Sequence, residues 1–225
     1  MCVSAEASFS LGGTLVPIGL YCLRIARQRD LCGLPIAAVP LFFGVQQICE
    51  GLVWVGVNRG DDRLTRPAAI VFLFFALAFW LFWIPFSAVF LEERRKRKIP
   101  LGIDALIGVA AGALLFLPIV IDPAALRVTV IHHSLSYNYA DSPDMMLLPQ
   151  PVWQLVYLAI IALPLVLLKS KDAIFYSTAL VLTATLSHVV FLYAFASIWC
   201  FASAILSLFL GYVFYKWPLP ETQQH

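Results

Sequence analysis

Charge is scarce in this 225-residue chain: Asp, Glu, Lys and Arg make up 12% of it, against 61% hydrophobic residues. A water-soluble domain carries about 25% charged residues, so water is not the main solvent and a soluble enzyme is excluded. The formal net charge is only +2, and the basic residues fall in short loops beside apolar runs, which excludes a nucleic-acid surface and fits topology signals instead. There are five cysteines, Cys2, Cys22, Cys32, Cys49 and Cys200, with no CxxC or CxxCH spacing. That absence rules out a zinc ribbon and covalently attached haem.

What the chain has in abundance is long apolar runs. A membrane helix needs about 20 predominantly apolar residues, and seven stretches qualify, at about 9–26, 33–57, 67–91, 101–121, 151–168, 173–195 and 197–215. The predicted fold is all-α, a single seven-helix transmembrane domain over 1–225, with the lipid bilayer as its first partner. A membrane-protein partner or a second copy stays open. The first run is not read as a signal peptide, because basic residues follow it instead of preceding it.

Lys and Arg give the orientation. Arg24, Arg27, Arg29, Arg94, Arg95, Lys96, Arg97, Lys98, Lys169, Lys171 and Lys216 share one side, while Arg59, Arg63, Arg66 and Arg127 share the other. Basic loops stay cytoplasmic, which places the N-terminus outside, the C-terminus inside and "EERRKRK" (92–98) in a cytoplasmic loop. The connection after the fourth span contains "LRVTVIHHSLSYNYA" (126–140), rich in β-branched and aromatic residues, which reads as an extended strand or hairpin capping the outer mouth.

Few polar groups lie in the spans. Glu50, in "LFFGVQQICEGLVW", is the deepest carboxylate, and a charge there costs about 2.5–3.5 kcal/mol on the insertion scale, so it is paired, protonated or functional. Gln46 and Gln47 lie four and three residues before it, on neighbouring parts of one helix face. Glu50 and His188 each lie seven residues before the outer end of their spans, roughly 10 Å deep at ~1.5 Å per residue, so the two are expected to meet. Gln46, Gln47, Glu50, Ser187 and His188 are therefore the candidate cavity-lining set. Above them, His132 and His133 lie in the strand-like segment, where adjacent side chains point to opposite faces.

The opening "MCVSAEASFSLGG" falls on the same outer side. Removal of Met1 would leave on Cys2 an α-amine of pKa about 7.7–8.0 beside a thiol of pKa about 8.5, either a five-membered chelate or a nucleophile with its own base. Cys2, Glu50 and His188 are the catalytic candidates. Cys2, Glu50, His132, His133 and His188 are the metal-ligand candidates, a mixed S, N and O set that favours zinc first and copper second. A membrane-embedded enzyme or metal-binding protein, a small-molecule or ion transporter or receptor with Glu50 in a polar cavity, and an accessory subunit of a larger complex all fit these residues.

Three segments, "MCVSAEASFSLGG", "PLFFGVQQICEGLVW" and "SHVVFLYAFASIWC", together resemble a family of bacterial multi-pass membrane proteins with an MCFSAxASF-type N-terminus and a QQxxEG motif. Val3 replaces the Phe of that pattern. The resemblance implies a multi-helix fold and a bacterial inner (cytoplasmic) membrane, and brings no activity. Alkaline-ceramidase-type zinc hydrolases are a poorer comparison, because no span holds an HxxxH pair; rhodopsin-like proteins fail because 197–215 lacks a lysine.

Overall fold

The computed structural model describes residues 4–29, 31–138 and 150–216. Nine α-helices cover most of them: α1 (Ala5–Arg29), α2 (Leu34–Ala37), α3 (Val39–Arg59), α4 (Asp62–Phe74), α5 (Trp80–Leu91), α6 (Arg95–Ile121), α7 (Gln150–Leu167), α8 (Lys171–Val190) and α9 (Phe195–Lys216). Six stretches are long and apolar enough to cross a membrane, and a seventh, Val152–Leu167, is apolar but shorter. These seven coincide with the seven expected runs.

The boundaries differ in instructive places. The second run does not start as one helix: a 3-10 turn (Leu31–Gly33) and α2 precede α3. Pro35 and Pro40, each within the first two positions of α2 and α3, lack an N–H and are tolerated where a helix begins. The third run is α4 and α5 joined through a π-helical turn at Phe75–Phe79. The sixth run ends early, at Val190, with a 3-10 turn (Leu192–Ala194) leading into α9.

Local chemistry closes the tight turn between α3 and α4. Gly60 takes a left-handed φ of 62° after α3, and the Asp61 side chain caps α4 by accepting a 3.0 Å hydrogen bond from the Arg63 N–H. At the other end of the bundle, Ser170 caps α8 through the Ala173 N–H.

The outer surface is apolar as well as the core, and a small polar group is buried. Leu106, Ile121, Leu155 and Val189 are exposed on the outside, whereas Gln46, Gln47 and Glu50 are fully buried. Close helix contact uses small residues, as membrane helices do. A Cβ on Gly12 of α1 would come within 2.9 Å of the Gly44 carbonyl of α3, and one on Gly19 would collide with the Leu41 backbone. An aromatic layer joins α3 to α5, with Phe43 stacked on Trp80 at 4.0 Å and Phe42 edge-on to Trp83 at 4.9 Å.

The segment after α6 is a two-stranded antiparallel hairpin, β1 (Arg127–Ile131) and β2 (Ser134–Asn138), with Ile131 opposite Ser134. His132 and His133 are its two turn residues, at φ 46° and 60°. They do not alternate along a strand, as expected from the sequence, because the chain reverses between them. Leu135 is fully buried, and Tyr137 stacks on Phe72 of α4 at 5.0 Å. The hairpin thus folds over the bundle end where α3, α6 and α8 finish and α9 begins.

Candidate functional site

Glu50 is the centre of a buried polar network on α3. Its Oε1 accepts from Ser197 Oγ at 2.5 Å, and its Oε2 accepts from Gln47 Nε2 at 3.1 Å. One turn earlier, Gln46 Oε1 accepts from Trp80 Nε1 at 2.8 Å, a bond aimed by the stacking of Trp80 on Phe43. α3, α5 and α9 are thereby tied together at one level.

Glu50 and His188 are not paired. His188 sits in the last turn of α8, two residues before Val190, whereas Glu50 lies nine residues before the end of α3. The early end of α8 therefore lifts the imidazole toward the surface. Among the described residues its Nδ1 is buried without a hydrogen-bond partner, and its ring faces Phe195 at 6.3 Å. Ser187 is buried beside it.

Among the described residues no group of three or more His, Cys, Asp and Glu is placed to hold an ion. His132 and His133 are exposed at the hairpin tip, where His132 meets Tyr193 edge-on at 5.5 Å. Cys2 lies outside the described residues.

Ser197 went unrecognised in the sequence. Its signal is the spacing of Ser197, Cys200, Ala204 and Ser207, a buried face of small residues on α9 at the three- and four-residue steps of one helix side.

A cavity of about 570 Å³ opens beneath the hairpin, between β2, α7 and the start of α9. Tyr137, Gln154, Tyr157, Phe195, Trp199 and Cys200 are prominent in its wall, which contains no charged side chain among the described residues. Ala76 and Leu77 reach it from the π-helical turn. Cys200 links this wall to the polar network, its thiol interacting with Gln46 and Glu50. Tyr137 faces the same group: burial first, then the Glu50 carboxyl, holds its phenol well above the ordinary tyrosine range. Among the described residues the hydroxyl of Tyr137 and the indole N–H of Trp199 are buried with no partner, although buried polar groups are nearly always hydrogen-bonded.

Fold and site define a multi-helix bundle of membrane-spanning type with an internal polar network and an uncharged cavity at one end. The chain belongs to a family of unknown function (DUF6629), whose model matches residues 1–224. No curated protein and no solved structure matches it.

Proposed function

We propose that this is an integral membrane protein, N-terminus outside and C-terminus inside, that binds a small uncharged organic molecule in the cavity beneath the hairpin. The carrying observation is the wall itself: aromatic and aliphatic side chains with a few polar groups and no charge, which is the usual make-up of a small-molecule site. The unpartnered Trp199 N–H and Tyr137 hydroxyl favour a ligand that offers a carbonyl or hydroxyl oxygen. In this reading Glu50 holds α9 in place behind the wall by accepting from Ser197.

Native mass spectrometry of the full chain purified in mild detergent tests the reading. Wild-type protein should carry a small-molecule adduct, and Ala196→Phe, which fills the cavity from α9, should lose it. An adduct-free wild type, or an adduct equally retained by Ala196→Phe, would refute it.

A further inference from the structure

A second cavity, of about 520 Å³, lies at the opposite end of the bundle between α7, α8 and the C-terminal part of α9. Its depth is apolar, with Leu165, Phe209 and Leu210 among its walls, and its rim carries Asp172 and Lys216, one charge of each sign. Between the two lies a void of about 30 Å³, space for roughly one water molecule.

The three spaces share walls. Tyr157, Trp199 and Cys200 border both the hairpin-side cavity and the void, and Tyr176 borders both the void and the far cavity. The three spaces therefore follow one another in file along α7, α8 and α9 from one end of the bundle to the other, separated by the side-chain-bearing residues they share. Tyr157 and Trp199, edge to face at 5.2 Å, stand between the hairpin-side cavity and the void, and Tyr176 stands between the void and the far cavity.

Polar groups along this file lack partners. Among the described residues Trp199 Nε1 and the Tyr176 hydroxyl are buried and unbonded, and both residues line the void. In a close-packed interior, two such groups are costly, and an oxygen passing along the void would satisfy each in turn.

The flanking helices also carry the features at which helices bend. Pro164 interrupts α7, Pro85 interrupts α5, the π-helical turn lies above α5, and a 3-10 turn leads into α9. Prolines and π-bulges are recognised causes of kinks.

We propose that the file is a transport route, with the Tyr157, Trp199 and Tyr176 layer as its gate, and that the protein carries its small uncharged ligand from one membrane face to the other. This rests on the ligand reading of the hairpin-side cavity and extends it. The absence of charge in the hairpin-side cavity and the void, and the balanced pair at the far rim, make a neutral molecule the cargo.

Accessibility of single cysteines from each membrane face tests the route. In full-length protein with its native cysteines replaced, Ala196→Cys reports the hairpin-side cavity, Ser203→Cys the void and Val213→Cys the far cavity. Ala69→Cys, fully buried and off the route, is the control. The probe is a sugar-linked methanethiosulfonate, uncharged and unable to cross bilayers, applied to right-side-out and to inverted vesicles and read by intact mass. Ala196→Cys should react from the hairpin side only and Val213→Cys from the opposite side only. Ser203→Cys should react from both sides, at least tenfold faster than Ala69→Cys. Reaction of Ser203→Cys from one side or from neither, while Ala196→Cys reacts, would overturn the route and leave a dead-end pocket. Loss of reaction at Ala196→Cys would instead strike the ligand reading. Should Ser203→Cys fail to fold, Leu180→Cys reports the same void.

Discussion

Replacing Glu50 by alanine removes the acceptor for two buried donors at once. Ser197 Oγ and Gln47 Nε2 each bond one carboxyl oxygen, at positions with no exposed surface. A buried donor left without its partner costs about 1–3 kcal/mol, so two of them place the loss at roughly 2–6 kcal/mol. Glu50→Gln keeps the shape and one carbonyl oxygen and should lose less. The partner is identified by double-mutant cycles on the purified full chain, with unfolding followed by denaturant titration in detergent. Glu50→Ala combined with Ser197→Ala should fall short of additivity by about 1–2 kcal/mol, whereas Glu50→Ala with His188→Ala should add within about 0.5 kcal/mol, as independent sites do. A loss below about 1 kcal/mol for Glu50→Ala, or stronger coupling to His188 than to Ser197, would refute the assigned network.

Other perturbations probe separate parts of the molecule. Trp80→Phe preserves the stacking on Phe43 but leaves the buried Gln46 carbonyl without its donor, and unfolding titrations should show a loss of about 1–3 kcal/mol. Gly19→Ala drives a Cβ into the Leu41 backbone, whereas Gly13→Ala meets open space; the first should cost about 1–3 kcal/mol by overpacking, and the second should be neutral or gain up to about 1 kcal/mol of helix propensity. Equal effects of the two glycine changes would count against the α1–α3 contact. In the proposed topology, a membrane-impermeant thiol reagent should reach His133→Cys, at the exposed hairpin turn, from outside intact cells. It should reach Lys96→Cys, at the start of α6, only after permeabilisation, and the reverse pattern would invert the orientation.

Solvent preference along the chain is what the sequence by itself determined. Runs of about 20 apolar residues bury every backbone hydrogen bond inside a helix, so their number and approximate limits follow from composition, and the spans and the hairpin segment were legible. Glu50, Gln46 and Gln47 were legible as buried for the same reason: three polar side chains on one helix face have no favourable place in lipid. Partner choice was not legible. The pairing expected between Glu50 and His188 rested on equal depths, and depth depends on where α8 ends; no proline or glycine in "SHVVFLYAF" signals the stop at Val190, so the helix limit is set by tertiary packing. Ser197 became the partner because α9 starts beside α3 and turns its small-residue face inward, a fact of helix rotation that no single run encodes. The cavities belong to the same category. Spaces between helices arise from how packed faces fail to fill them, and only the assembled bundle places Tyr157, Trp199 and Tyr176 around one void.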